Sequence, residues 1–173
     1  CVKPSHIHIL PVDYQFTTDT VITVRPCAVN DVNYYKAFYM ANKVNYTTGG
    51  DFGLVFMADG MAFGFTSFSK QLSTLSQIFM QSDFVVNSET QRLSKLLIML
   101  VKSHDVRRLI ARKMYNYYDG VKTTVYTTSP VSMKYRGVFN LERRDEGKLI
   151  YSSIFTEKSL NELYALWIRK YKK

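Results

Sequence analysis

The alternation of apolar and polar residues divides the chain into short strands and amphipathic helices. Short runs rich in β-branched and aromatic residues, bounded by glycine, proline or polar clusters, are typical of strands. Such runs occur at residues 6–12, 20–25, 52–58, 61–68, 74–86, 121–128, 138–143 and 148–155. The sequence Asp59-Gly60 joins two of them, which predicts a tight hairpin, and Asp145-Glu146-Gly147 predicts a second turn of this kind.

Apolar residues that recur every three or four positions predict helices between these strands. We expect helices at residues 30–43, 105–118 and 160–170, and one or two helical turns at residues 131–136. Ser88, with Gln91 three residues later, forms a capping box ahead of a regularly spaced apolar run. A further helix is therefore expected from this point to about residue 103.

The predicted order of elements is β-β-α-β-β-β-α-β-α-β-β-α, with no internal repeat and no break in composition. A single mixed, twisted sheet flanked by helices is the economical way to bury the apolar faces of these elements. We therefore predict an α/β (α+β) fold with one domain over residues 1–173. Because the chain opens with Cys1 rather than Met, we expect the native N-terminus to be missing, which leaves a signal peptide open.

The composition excludes several classes of protein. Hydrophobic residues make up 46% and charged residues 21% of the chain, close to the globular average, which excludes a disordered tail, a collagen-like fibre and a coiled coil. No run of 18 apolar residues occurs, so we expect no membrane-spanning helix. The two cysteines, Cys1 and Cys27, are too few for a disulfide framework and indicate a reducing, intracellular setting.

Positive charge is concentrated in the second half of the chain. The net charge is +9, and residues 92–148 contribute +8, whereas residues 1–91 carry −2 and residues 149–173 carry +3. A one-sided positive field is the footprint of polyanion binding, although a solvated basic surface would have the same composition. The cations that we expect to contact nucleic acid are Arg92, Lys95, Arg107, Arg108, Arg112, Lys134 and Arg136.

Strong catalytic motifs are absent from the sequence. It contains no P-loop and no GxGxxG, HExxH or GxSxG pattern. His6 and His8 lie at strand spacing on one face, which would be half of a metal site, but two histidines alone are more often surface residues. We therefore expect no metal ion in this protein.

The stretch from residue 86 to 97 leads from a strand through a polar loop into a helix. Free backbone N–H groups and the helix dipole favour an anion at such a junction, and Arg92 and Lys95 add positive charge. We predict that Ser88, Gln91 and Arg92 contact the phosphates of a cofactor. The alternative is an ordinary capped helix whose cations are solvated.

Residues 123–139 combine hydroxyl groups, aromatic rings and cations at high density. Lys134 and Arg136 can hold phosphate oxygens, and Tyr135 can stack on an exposed base. A proton-transfer role for Tyr135 requires a pKa below the usual value of about 10, and we expect its two cationic neighbours to lower that pKa. The alternative interpretation is a structural turn whose polar residues only cap neighbouring elements.

The order of elements over about residues 20–155 resembles the GNAT acyltransferase fold. Within that superfamily, the run RLSKLL at residues 92–97 and the segment 123–136 are similar to the Mom-type proteins of phages. Those proteins modify adenine in DNA on a GNAT-like scaffold and protect the genome from restriction. The resemblance therefore implies a single GNAT-like domain that acts as a transferase on DNA in the cytoplasm of a host cell.

One departure from the resemblance concerns the cofactor. GNAT enzymes carry a glycine-rich pyrophosphate loop of the form Q/R-x-x-G-x-G/A, where this chain has QRLSKL at residues 91–96. Bulky side chains at these positions hinder the close approach of acyl-CoA phosphates, and Mom-type proteins also depart from the loop. Acyl-CoA is the donor that the fold implies, but the sequence leaves the identity of the cofactor open.

Three functions are compatible with the sequence. The leading hypothesis is a phage or mobile-element enzyme that modifies a DNA base and so protects against restriction. The alternatives are a non-catalytic nucleic-acid-binding protein on the same scaffold and a conventional N-acyltransferase of small amines. A modifying enzyme needs polar groups that converge on a pocket, and we predict that Tyr135, Ser94 and Asp119 supply them. The oligomeric state is left open.

Overall fold

The computed structural model describes residues 7–39, 49–71, 76–86, 90 and 92–171. Along the chain the elements are β1 (Ile22–Cys27), α1 (Val29–Tyr39), β2 (Phe52–Ala58), β3 (Met61–Ser69), β4 (Gln77–Val85), α2 (Leu93–Val101), α3 (His104–Met114), β5 (Gly120–Tyr126), β6 (Asn140–Asp145), β7 (Lys148–Ile154) and α4 (Leu160–Lys170). No helix within these described ranges is long and apolar enough to cross a bilayer.

The strands form one seven-stranded mixed sheet in the order β1-β2-β3-β4-β5-β7-β6. Neighbouring strands are antiparallel except β4 and β5, which are parallel and are connected through α2 and α3. The ring of Tyr35 in α1 stacks on Phe65 at 4.9 Å, whereas Leu97 of α2 packs against Gly64. Because consecutive strand residues point to opposite faces, α1 and α2 lie on opposite sides of the sheet. The predicted mixed α+β fold is confirmed.

A β-bulge in β4 shapes the centre of the sheet. Ser67 of β3 pairs with Ser82, and the next residue, Phe68, pairs with Met80. Gln81 is therefore an extra residue in β4 that has no partner in β3. A bulge of this kind bends its strand and increases the local twist.

The bend coincides with the point where β4 and β5 separate. Their parallel ladder ends with the pair Met80 and Thr123, directly before the bulge. Beyond that pair, β4 continues beside β3, and β5 continues beside β7. A wedge, here called the β4–β5 wedge, therefore opens between residues 81–85 and residues 124–126.

Helix α2 is buried on nearly all sides, although its length is only nine residues. Its buried residues are Leu93, Lys95, Leu96, Leu97, Ile98, Leu100 and Val101. The fully buried indole of Trp167 in α4 donates its N–H to the carbonyl oxygen of Arg92 at 3.0 Å. This bond ties the beginning of α2 to the C-terminal helix.

The first predicted strand, at residues 6–12, is wrong. Residue 6 lies outside the described residues, and residues 7–12 form only an isolated bridge, between Ile9 and Ala62 of β3. The Leu10 N–H donates to the Ala62 carbonyl oxygen at 2.9 Å and the Ala62 N–H donates to the His8 carbonyl oxygen at 2.7 Å, and residues 11 and 12 do not continue this pairing.

One of the helical turns predicted at residues 131–136 is present, because the Arg136 N–H donates to the Ser132 carbonyl oxygen at 2.9 Å. It does not extend into a helix, and the rest of the β5–β6 connection, residues 127–139, consists of turns and bends. The N–H of Ser132, which has no partner within such a turn, donates to the Tyr151 hydroxyl at 2.9 Å.

The beginning of α2 also differs from the prediction. The predicted capping box spans residues 88–91, of which 88, 89 and 91 lie outside the described residues. Helix α2 begins at Leu93, and its N-cap is Arg92, in the left-handed conformation with φ 61° and without a side-chain cap. The carbonyl oxygen of this N-cap residue accepts the hydrogen bond from Trp167.

The closeness of β5 and β7 can be tested at Gly120. A Cβ atom at this position would lie 2.5 Å from the carbonyl oxygen of Ser153, which is backbone and cannot move aside. We expect Gly120→Ala to lower the free energy of unfolding by about 1–3 kcal/mol in urea titrations followed by circular dichroism. Gly49→Ala is the matched control, because a Cβ there has nothing within 4 Å and no loss is expected. Equal stabilities of the two variants would contradict the close approach.

Candidate functional site

Polar groups from two parts of the chain meet in the β4–β5 wedge. Asp83 projects from β4, and its Oδ1 accepts a hydrogen bond from the Tyr135 hydroxyl at 2.6 Å. The Lys134 ammonium forms an ion pair with Oδ2 of the same carboxylate and donates to the Asp83 carbonyl oxygen at 3.2 Å. The β5–β6 connection therefore reaches across the wedge and is anchored on β4.

Tyr135 is held rigidly in this position. Its side chain is 2% exposed, stacks on Tyr151 at 5.2 Å and meets Phe139 edge-on at 5.3 Å. Burial raises the pKa of Tyr135 well above its usual value, and the charge of Asp83 and the hydrogen bond to it raise that pKa further. The expectation that Lys134 and Arg136 lower this pKa is wrong, because desolvation and the carboxylate outweigh the neighbouring cations.

A second polar contact lies on the α1 side of β4. Ser82 follows the bulge and points to the face opposite Asp83, where the Lys36 ammonium donates to its Oγ at 2.9 Å. Burial lowers the pKa of Lys36, which eases the loss of a proton from its ammonium group, whereas the charge of Asp83 opposes this shift. The Thr123 hydroxyl donates to the Met80 carbonyl oxygen at 3.0 Å, where the ladder ends.

The sequence analysis did not select Lys36, Ser82 or Asp83. A signal was present, because Gln81, Ser82 and Asp83 are three consecutive polar residues inside an otherwise apolar strand. Gln81 is exposed at the bulge, but Ser82 is buried and Asp83 is partly buried, and polar residues at such positions of a central strand indicate a local function.

Four cations form a basic cluster beside the wedge: Arg92, Lys95, Arg136 and Lys170. The Lys95 ammonium is buried, donates to the Arg136 carbonyl oxygen at 2.6 Å and lies 5.4 Å from the Tyr171 ring. Burial lowers the pKa of Lys95, and the charges of Arg92, Lys170 and Arg136 lower it further. Arg92 and Lys170 lie 5.6 Å and 5.3 Å from the centre of the same Tyr171 ring, so the cations lie close together.

The predicted DNA-contacting arginines of α3 lie elsewhere. Arg107 donates to the Tyr118 carbonyl oxygen at 2.7 Å, pairs with Asp119 at 3.4 Å and lies 3.8 Å from the centre of the Tyr117 ring. Arg108 and Arg112 are exposed and line a different groove, between α3, β1 and the beginning of α4. The structure brings Lys134 close to the wedge and Arg92, Lys95 and Arg136 together, but it does not join the α3 arginines to them.

The three predicted catalytic residues are not gathered in one pocket. Tyr135 lies in the wedge, and Ser94 lies half-buried in the first turn of α2. Asp119 precedes β5, at the end where β4 and β5 remain paired, and its side chain is 72% exposed. Strand β5 spans about 20 Å at roughly 3.3 Å per residue, so Asp119 is distant from the open end of the wedge.

The sheet is mixed, and its two central parallel strands, which are connected through α2 and α3, diverge at a bulge. A family model described as GNAT-phage-like, a phage GNAT-like domain, matches residues 19–172. The chain belongs to the phage GNAT-like domain family. No curated protein matches this sequence.

Solved acetyltransferases are similar to this chain at low sequence identity. The phage GNAT-like domain is 11% identical to an acetyltransferase of the GNAT family from Streptococcus pneumoniae, with a TM-score of 0.46 over 79% of this chain and 100% of that chain. It is 12% identical to the ribosomal-protein-S18-alanine N-acetyltransferase from Escherichia coli, with a TM-score of 0.48 over 80% of this chain and 97% of that chain. At these identities the likeness concerns the fold alone.

Acyl-CoA is the donor that a GNAT fold implies, and the residues present do not fit it in the pose that a glycine-rich loop supports. Arg92 takes the left-handed position at the beginning of α2, where glycine would leave the backbone accessible. In the wedge, the side chains of Tyr135 and Lys134 occupy the space beside Asp83. Of the predicted cofactor contacts, Arg92 is exposed, whereas Ser88 and Gln91 lie outside the described residues.

The raised pKa of Tyr135 predicts a pH dependence of stability. Its contribution is present below the unfolded-state pKa of about 10 and is lost as the pH rises through the higher folded-state pKa. We therefore expect the wild type to lose stability above about pH 10 more steeply than Tyr135→Phe, which has no ionisable hydroxyl. At pH 7, Tyr135→Phe is expected to be about 1–3 kcal/mol less stable, because Asp83 loses a buried donor.

Urea unfolding at neutral and alkaline pH measures this difference. Tyr115→Phe is the matched control, because the Tyr115 side chain is 95% exposed, and we expect it to follow the wild-type profile. Parallel pH profiles for the wild type and Tyr135→Phe would show that the Tyr135 hydroxyl does not titrate with a raised pKa.

Proposed function

We propose that this phage GNAT-like domain is a transferase that binds DNA and modifies one of its bases, as Mom-type proteins do. The observation that carries the proposal is the adjacency of two features. Lys134 and Tyr135 contact Asp83 in the wedge, and the next residue, Arg136, accepts a hydrogen bond from Lys95 in the basic cluster. A cluster of polar side chains and a group of cations therefore share one short segment of chain.

The basic cluster supports DNA as the substrate. No carboxylate of a described residue forms an ion pair with Arg92, Lys95, Arg136 or Lys170. Positive charges that lack acidic partners keep their full field toward solvent, and phosphates are the anions that such a field attracts along a nucleic acid.

The wedge supports chemistry on a base. Ligands of sheets with parallel strands bind where neighbouring strands diverge, because backbone and side-chain groups there are both sheltered and accessible. An enzyme that modifies a base must take that base out of the stack, or act on a single strand, before the base can enter such a pocket.

The wedge residues have separable roles in this proposal. Asp83 is the carboxylate that accepts a hydrogen bond from the amino group of the base. Tyr135, whose pKa is raised, stays protonated at neutral pH and positions Asp83 through its hydrogen bond. Lys36 and Ser82 present an amine and a hydroxyl from the other face of β4.

A specific observation favours the alternative of a non-catalytic DNA-binding protein. Tyr135 and Lys134 themselves fill the space beside Asp83, and a filled wedge has less room for a base. This alternative shares the basic cluster with the proposal but requires no group transfer, so a chemical assay separates the two.

Mass spectrometry of nucleosides from DNA tests the chemistry. We expect DNA from cells that express the wild type to contain a modified nucleoside, and Asp83→Asn to lower its yield about 100-fold or more, because the carboxylate that positions the amino group is lost. Tyr115→Phe is the control and is expected to retain the wild-type yield. Unmodified DNA from cells with folded, soluble wild-type protein would favour the non-catalytic alternative, and tight binding of acetyl-CoA would favour an N-acyltransferase of small amines.

The salt dependence of DNA affinity tests the electrostatic argument separately. We expect affinity to fall steeply between about 50 and 200 mM salt, because phosphate contacts release counterions. Arg92→Ala combined with Arg136→Ala is expected to reduce that dependence, whereas Arg143→Ala with Arg144→Ala, on the outer strand β6, removes the same charge and leaves it nearly unchanged. The predicted contribution of Arg107, Arg108 and Arg112 can be measured in the same assay. An affinity that is independent of salt would contradict DNA binding through this cluster.

A further inference from the structure

A groove lies over α2, between α4 on one side and the β5–β6 connection on the other. It has a volume of about 560 Å³, which is within the range of pockets that take up drug-sized molecules. Its lining combines apolar side chains with cations, and we call it the α2 groove. The lining residues on which the argument rests are Met99, Lys102, Val138, Lys158, Leu166 and Arg169.

The charge of the α2 groove is positive and is not balanced by acids. No described carboxylate forms an ion pair with Lys102, Lys158 or Arg169. Glu157 is the acidic residue next to Lys158 in the sequence, and its carboxylate lies 4.0 Å from Nδ1 of His104. Lys102 donates to the Val138 carbonyl oxygen at 2.8 Å, a neutral partner that leaves its charge in place.

The walls of the groove offer apolar surface. Met99, Val138 and Leu166 are each partly exposed there. Gly137, at φ 82°, is exposed in the groove. A ligand that fits these features has flat apolar groups linked to several negative charges.

We propose that the α2 groove binds single-stranded DNA next to the base that enters the β4–β5 wedge, an inference that rests on the proposed function. Single strands present phosphates together with unstacked bases, and proteins bind them with cations and apolar or aromatic side chains in one groove. A duplex shows only the edges of its bases, so the apolar walls would have no base faces to contact.

The groove and the wedge are continuous along the chain. Residues 134 and 135 contact Asp83 in the wedge, and residues 137 and 138 line the groove. Three residues of extended chain span at most about 10 Å, which is the reach of a few nucleotides. A DNA single strand that is bound in the α2 groove therefore places its next base in the wedge. No duplex has to be opened first.

Fluorescence anisotropy with labelled oligonucleotides of about 16 nucleotides tests this inference. We expect the single strand to bind about tenfold or more tightly than the duplex of the same sequence at about 150 mM salt. Lys158→Ala with Arg169→Ala is expected to weaken single-strand binding about tenfold and to lower its salt slope by about 1.4, the value for two lost phosphate contacts. Arg143→Ala with Arg144→Ala is the charge-matched control and is expected to bind like the wild type.

Leu166→Gln provides a second variant that keeps every charge. We expect it to weaken binding of the single strand and to leave the salt slope of that binding unchanged. Circular dichroism checks that the variant is folded. Equal or tighter binding of the duplex, unaffected by Lys158→Ala with Arg169→Ala, would overturn the single-strand inference and leave base modification of duplex DNA standing. Binding of neither form would overturn the proposed function as well.

Discussion

Gln81 adds one residue to β4 opposite the continuous ladder of β3, and the resulting bend turns β4 away from β5 directly after Met80. A separation of two central strands leaves backbone groups without ladder partners, and buried groups of this kind must be satisfied in some other way. Thr123 donates to the carbonyl oxygen of Met80, and Lys134 donates to that of Asp83. The bulge therefore creates both the wedge and the need for polar side chains inside it.

The β5–β6 connection is organised by the same demand. Lys134 and Tyr135 bind Asp83, while the carbonyl oxygens of Arg136 and Val138 accept hydrogen bonds from lysines of α2. A segment without helix or strand is thereby fixed to β4 and to α2 at successive residues. This fixation explains how a connection made of turns can place side chains as reproducibly as a regular element does.

The two lysines of α2 also explain why the positive field survives burial. Burial of a charge is costly unless the charge finds hydrogen-bond partners. Lys95 and Lys102 find backbone carbonyl oxygens rather than carboxylates, so their charges are stabilised without being neutralised. The basic cluster and the α2 groove are therefore electropositive, because α2 is packed with its lysines against backbone carbonyl oxygens.

Most elements of the fold follow from the sequence, because hydrophobic periodicity records which face of each element is buried. The hairpin at Asp59-Gly60, the closing hairpin and α4 lie where that pattern predicts them. The basic second half of the chain likewise indicates where a polyanion would bind. Tertiary contacts decided the rest: Ile9 forms only an isolated bridge with Ala62, and the Tyr151 hydroxyl accepts the N–H of Ser132 in the β5–β6 connection. The site depended on them most, since Asp83 lies 52 residues before Tyr135 and only the diverging strands bring the two together. The local sequence pattern determines which residues are buried. A site depends on the distances between segments that are far apart in the sequence, and only the packed sheet sets those distances.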